Sequence, residues 1–215
     1  MSYTELVFIL DRSGSMSGLE VDTIGGFNAL IEKQKKEEGR AVVSTVLFDD
    51  RTEVLHDRLP LEQVPAMTGR DYYVRGCTAL LDALGGAIDH IGRLHKHTSP
   101  EQRPDKTLFV ITTDGMENAS RRYTYDLVRE MVERQKARFG WEFLFLGANM
   151  DAVAVARRFG IGADRAATYE CDAEGTALNY EVLSEAVRQV RTCAAPLSGD
   201  WKARIDEDHK RRGRQ

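Results

Sequence analysis

Asp11, Ser13 and Ser15 place a carboxylate and two hydroxyls at alternate positions, directly after the unbroken apolar run Leu6-Val7-Phe8-Ile9-Leu10. Such a run, without polar alternation, predicts a strand buried on both faces, as in the middle of a parallel sheet. The carboxyl end of such a strand lies at the edge where open α/β sheets bind ligands. Carboxylate and hydroxyl oxygens suit a hard divalent cation such as Mg²⁺ better than they suit zinc or copper. The stretch therefore reads as half of a metal site.

A second half lies downstream. Leu108 to Thr113 is another buried-strand run that ends in an acid, Asp114, followed by Gly115. Thr78 follows Gly76-Cys77 in a loop before a predicted helix, so its hydroxyl can point to the same edge. If the two acid-ending strands are neighbours, Asp11 and Asp114 meet there. Carboxylates within about 4–6 Å raise one another's pKa unless a cation lies between them. Oxygens from Asp11, Ser13, Ser15, Thr78 and Asp114, completed by water, would make six-coordinate Mg²⁺ reasonable, with Mn²⁺ or Ca²⁺ as substitutes. Each segment alone has a structural explanation, since Asp at a strand end and Ser-Gly-Ser are common capping and turn chemistry. Two acids that both follow buried strands favour the metal, because buried charges need a partner.

The elements that must position these groups alternate along the chain. Leu19 to Glu38 is helical in period and Gly39 stops it. Ala41 to Phe48 and Thr52 to Leu59 are strands, and the short Asp49-Asp50-Arg51 link makes them an antiparallel hairpin. Helix is predicted for Thr78 to His95, strand for Leu108 to Thr112, and helix for Tyr125 to Phe139. Trp141 to Leu146 is a strand, Asp151 to Phe159 a helix, Ala166 to Tyr169 a short edge strand, and Ala173 to Arg191 a long helix. The alternation predicts a parallel-dominated, doubly wound α/β sheet with helices on both faces and one antiparallel edge strand. Residues 1–195 are expected to form one domain. Residues 196–215 are expected to be a polar, basic tail, with His209 to Arg214 frayed rather than a binding arm.

Composition narrows the function classes. The chain has 215 residues, 42% hydrophobic and 30% charged, with a formal net charge of -4. That balance offers no electrostatic case for nucleic acid. No apolar run approaches the ~20 residues a membrane helix needs, and the first residues lack a signal-peptide pattern. The odd set Cys77, Cys171 and Cys193 has no CxxC spacing, which points to a reduced, cytoplasmic protein rather than a disulfide scaffold or zinc site.

The pattern Asp11-x-Ser13-x-Ser15, then Thr78, then Asp114-Gly115 resembles the metal-ion-dependent adhesion site (MIDAS) of von Willebrand factor A domains. All five positions occur in order, within a resemblance running from about Tyr3 to Arg191. It implies a Rossmann-like sheet and serine and threonine hydroxyls that contact the metal directly or through water. It also implies aspartates completing the shell, and an Asp or Glu of a partner protein as the remaining ligand. The chain resembles the short, stand-alone bacterial members, for which AAA+ ATPases and stress-response components are the partners the resemblance suggests. Met16 and Met116 are candidate contact residues beside the metal, with core or loop filler as the competing reading. Arg12, Arg75, Glu117 and Asn118 flank the site. Glu117 and Asn118 are candidates for orienting water or touching a partner, against plain surface placement.

An enzyme would need a base and a nucleophile at the same edge. None of His56, His90, His95, His97 and His209 falls at a predicted carboxyl strand end, and neither serine has an evident histidine partner. GxGxxG and Walker A motifs are absent, and Ser13 stands where haloacid-dehalogenase chemistry wants a second acid. The expectation is a non-enzymatic, Mg²⁺-dependent protein-binding module without catalytic residues. The alternatives are a Mg²⁺-dependent hydrolase or phosphatase at the same edge, and a metal that only fixes loops in a self-associating protein.

Overall fold

The computed structural model describes residues 2–213; Met1, Arg214 and Gln215, the last two belonging to the basic end, lie outside the described residues. Six strands form one sheet in the order β3-β2-β1-β4-β5-β6. They are β1 (Tyr3–Asp11), β2 (Arg40–Phe48), β3 (Thr52–Pro60), β4 (Lys106–Thr113), β5 (Glu142–Ala148) and β6 (Ala166–Tyr169). All neighbours run parallel except β2 and β3, which are antiparallel across the Asp49-Asp50-Arg51 turn as expected. The helices are α1 (Glu20–Gln34), α2 (Leu80–His97), α3 (Tyr125–Phe139), α4 (Ala152–Arg158), α5 (Ala173–Thr192) and α6 (Ala203–Arg212).

Alternation along β1 divides the core in two. Leu6, Phe8 and Leu10 join the layer that contains α1 and α5, while Val7 and Ile9 join the layer of α2, α3 and α4. Because both faces are covered, β1 and β4 carry no polar alternation, which is why they read as continuous apolar runs. Both begin at the edge opposite Asp11 and end at it.

Helix starts have identifiable causes. Thr124, Asp151 and Asp172 accept hydrogen bonds from Leu127, Ala154 and Gly175 N–H groups and so cap α3, α4 and α5. α2 has no such cap of its own. Its free N–H groups at Leu81 and Asp82 are taken by Glu117 Oε2 at 2.8 Å and Ser120 Oγ at 3.0 Å, both from the loop after β4.

The end of the chain corrects the expectation of a frayed tail. Residues Gly199–Lys202 form a 3₁₀ turn and Ala203–Arg212 form α6. Leu197 and Ile205 enter the same core layer as α1 and α5. Polar composition concealed this because the apolar contact is carried by so few residues. Ile205→Ala should lower the unfolding free energy by about 2–4 kcal/mol, read by urea denaturation; an unchanged midpoint would mean that α6 does not pack.

Candidate metal centre

Parallel pairing of β1 with β4 sets Leu10 opposite Thr112, so Asp11 and Thr113 leave the sheet side by side. The Asp11 carboxylate accepts the Ser13 N–H on Oδ1 at 2.7 Å and the Thr113 hydroxyl on Oδ2 at 2.6 Å. The Tyr72 hydroxyl donates to the Asp11 main-chain carbonyl from below. Burial pushes the Asp11 carboxyl above its ordinary range, against the hydrogen bonds from Thr113 and Ser13 that favour the ionised form. Asp114 is raised as well, first by burial and further by the charge of Asp11, while hydrogen bonds from Cys171 and Asn149 oppose the rise. Two acids whose negative charges disfavour one another at a sheet edge suit a cation.

The hydroxyls converge beside them. Thr78 Oγ1 lies 3.1 Å from Ser13 Oγ, which lies 3.0 Å from Ser15 Oγ. Gly115 closes the other side. A Cβ there would stand 2.3 Å from Thr78 Oγ1 and 3.2 Å from Ser13 Oγ, so only glycine lets the loop after β4 approach the hydroxyls. Among the described residues no group of three His, Cys, Asp or Glu side chains is arranged to hold a metal. Any ion here would depend on hydroxyl oxygens as well as carboxylates, and the donor set fits a hard dication. Asp11, Ser13, Ser15, Thr78 and Asp114 all lie at this one edge.

The flanking residues do different work from that expected. Met16 is 3% exposed and sits in the core under the first loop, so it is not a contact residue; Met116, 57% exposed, remains at the surface. Glu117 caps α2 and also accepts N–H groups of Ala119 and Ser120. Asn118 Oδ1 accepts the Thr78 N–H at 2.9 Å, and the Asn118 N–H returns to the Thr78 carbonyl at 3.0 Å. Glu117 and Asn118 are thus clamps that fix Thr78 against the loop after β4. Asp82 likewise accepts the N–H groups of Arg121, Arg122 and Tyr123, holding that loop from the α2 side.

Arg12 and Asp49 form a hub that spacing did not reveal. Both side chains are fully buried, with Arg12 Nε donating to Asp49 Oδ2 at 2.8 Å. Arg75 Nε reaches the same oxygen at 2.8 Å, and Arg12 continues to Glu53 at 2.7 Å. The Asp49 carbonyl accepts the Ala79 N–H, and the Arg12 carbonyl accepts the Arg75 N–H. Burial opposes ionisation of Asp49, but hydrogen bonds from Arg75, Arg51 and Arg12 hold its pKa below the ordinary range. Gly76 sits in the left-handed region with Asp50 against it, where a side chain would collide. The hairpin turn therefore locks the Ser13 loop to the Thr78 loop.

Cys171 is a further neighbour of the site. It follows β6, so it reaches the same carboxyl edge, and its Sγ lies 3.0 Å from Asp114 Oδ2. The edge-strand prediction for Ala166 to Tyr169 contained that placement, but a thiol does not suggest a carboxylate's partner. No histidine hydrogen-bonds to the five candidate ligands among the described residues; His56 pairs with Thr45, His90 with Asp57, His95 with Glu5 and His209 with Glu170.

No family model and no curated protein matches the chain. Solved structures do. The proximal thread matrix protein 1 of the mussel byssus, with a zinc-occupied MIDAS motif, superposes with a TM-score of 0.60 at 14% identity, over 87% of this chain and 46% of that one. A von Willebrand factor type A protein from Catenulispora acidiphila gives 0.56 at 15% identity, over 87% and 43%. Manganese-loaded TRAP protein of Plasmodium vivax gives 0.57 at 16% identity, over 90% and 76%. The fold is that of von Willebrand factor A domains. The chain spans less than half the length of the first two.

Two substitutions test the geometry. Gly115→Ala should weaken divalent-metal binding at least tenfold, measured by calorimetry with Mn²⁺, because the buried Thr78 cannot withdraw (about 1.4 kcal/mol per decade). Asp49→Ala should cost about 3–5 kcal/mol of stability by taking from the buried Arg12 its one buried acidic partner and leaving only the half-exposed Glu53, read by denaturant unfolding; a loss below 1 kcal/mol would remove Asp49 as the hub.

Proposed function

We propose that this protein is a non-enzymatic binding module in which a divalent cation, Mg²⁺ by preference, docks an Asp or Glu of a partner protein. The observation that carries this reading is the convergence of Asp11, Ser13, Ser15, Thr78 and Asp114 at one edge, with Gly115 leaving room between the loops. When bound, the cation supplies an open coordination position for a carboxylate oxygen. Three of the five donors are neutral hydroxyls, so the protein's ligands leave the ion eager for a further anion.

The chain's own groups supply the rest of the recognition. Asp11 is held in place by Ser13 and Thr113, which keeps its carboxylate from swinging toward an incoming acid. The exposed Met116 and Tyr73 stand on the two loops that border the site and would offer apolar contact around the docked carboxylate. Arg75 lies beside Tyr73, with its Nη1 donating to the Tyr73 hydroxyl at 2.9 Å. Its cation favours an acidic partner segment. What supports binding over hydrolysis is that, among the described residues, no histidine is hydrogen-bonded to these five groups. Among the described residues no helix is long and apolar enough to cross a membrane, and the three unpaired cysteines suit a reducing, cytoplasmic setting.

A pull-down from the native host with the immobilised chain tests the reading. Capture of a partner should require Mg²⁺ or Mn²⁺, vanish with EDTA and vanish in Asp114→Ala, while that variant keeps a cooperative melt. Capture that persists without metal would sink the proposal. So would Mg²⁺-stimulated phosphoester turnover that disappears in Asp11→Asn.

A further inference from the structure

The last three strands of the sheet each leave a polar side chain at the edge they end on. Asp114 follows β4, Asn149 follows β5, and Cys171 stands two residues beyond β6. Parallel pairing aligns these ends, with Thr113 opposite Gly147 and Ala148 opposite Tyr169. The Cys171 thiol donates to Asp114 Oδ2 at 3.0 Å, and the Asn149 side chain hydrogen-bonds to both groups. The Asp11 carboxylate is fixed by Ser13 and Thr113. Asp114 has neither of those supports; among the described residues its carboxylate is held by Cys171 and Asn149 instead.

Cys171 is in turn held by the end of the chain. His209 Nδ1 lies 2.6 Å from Glu170 Oε1, and Arg212 Nη1 donates to Asp172 Oδ2 at 2.5 Å. The two contacts grip the residues on either side of Cys171. Arg212 is braced within α6 by Asp208, which accepts its Nε–H at 3.1 Å. Asp172 is braced as well, because its Oδ1 accepts the Gly175 N–H at 2.7 Å and caps α5. Partly exposed ion pairs add little stability. Two of them flanking one residue do fix where that residue stands.

We infer that Cys171 is a positioning residue for the divalent cation, and that α6, through His209 and Arg212, holds it in register with Asp114. The inference rests on the metal reading proposed above. Held by the thiol, the Asp114 carboxylate keeps its place beside the hydroxyls of Ser13, Ser15 and Thr78 before an ion arrives. Hydrogen-bond partners of metal-ligating groups commonly set metal affinity by about 10–100-fold. A thiol is a weak donor, which places Cys171 at the lower end of that range. The C-terminal helix is therefore part of the metal centre's support, although none of its residues touches the five candidate ligands.

Calorimetric titration of the full chain with Mn²⁺ tests the inference. Cys171→Ala should weaken binding about tenfold. Cys171→Ser keeps a donor at the same place and should stay within about threefold of the unsubstituted chain. The His209→Ala/Arg212→Ala double variant should weaken binding by about threefold or more, with little further loss when Cys171→Ala is added, because both changes act through one contact. Arg204→Ala removes the ion pairs of α6 with Glu181 and Glu185 on α5 and should leave Mn²⁺ affinity unchanged, which separates positioning from general loosening of the helix. Mn²⁺ binding that is indifferent to Cys171→Ala, a Cys171→Ser variant as weak as Cys171→Ala, or an α6 effect that adds in full to that of Cys171→Ala would each overturn the inference and leave the metal site standing. An unsubstituted chain that binds no Mn²⁺ would overturn the metal reading itself, and this inference with it.

Discussion

Parallel pairing of β1 with β4 is the constraint on which the rest of the structure depends. Both strands are buried on both faces, so neither can slip by one residue without turning its entire apolar set around. In the register that results, Leu10 faces Thr112, and the next residue of each strand emerges at the same edge. Asp11 and Thr113 are then close enough for a 2.6 Å hydrogen bond, and Asp114 follows one position later. The two acids are neighbours because the hydrophobic effect aligned the strands beneath them. Their charge is a consequence of the core's geometry, and a cation is the chemically natural answer to it.

The three loops at that edge are rigidified by hydrogen bonds rather than by packing. Arg12 and Asp49 are fully buried, and Asp49 gathers Arg12, Arg75 and the N–H groups of Arg51 and Ala79. Buried ion pairs are a poor source of stability, since desolvation offsets most of the attraction. One guanidinium nitrogen of Arg12 even lacks a partner. Such a pair does restrict the loops to one arrangement, as a site built from three separate segments requires. Glu117, Asn118 and Asp82 do the same between the Thr78 loop and the loop after β4. Because α2 takes its N-terminal cap from that loop, the helix and the site are fixed together.

α2 joins the two ends of the molecule. Its first turn follows Thr78 at the carboxyl edge, and its last turns lie at the amino edge. Five of the six strands end at the edge of Asp11 and begin at the other, and α2 runs back between the two.

The order of elements, the hairpin at Asp49-Asp50-Arg51, the layer structure and the five candidate ligands were all legible in the amino-acid sequence. Periodicity reports which faces are buried, and an acid after an unbroken apolar run reports where a buried strand meets solvent. What tertiary structure alone decided was the use of side chains brought together across long separations. Met16 went inside because the turn after Ser13 folds back on the core, a direction that no local pattern encodes. Glu117 and Asn118 became clamps because α2 lacked a cap of its own, a deficit visible only once the loop after β4 lay against it. Arg12 and Asp49, 37 residues apart, met because β1 and β2 pair in parallel and end together. Leu197 and Ile205 anchored an end whose charged composition resembled a loose tail, since two buried side chains eight positions apart leave no periodic trace. Local sequence determines which residues must be buried; only the folded arrangement determines which polar groups can satisfy one another.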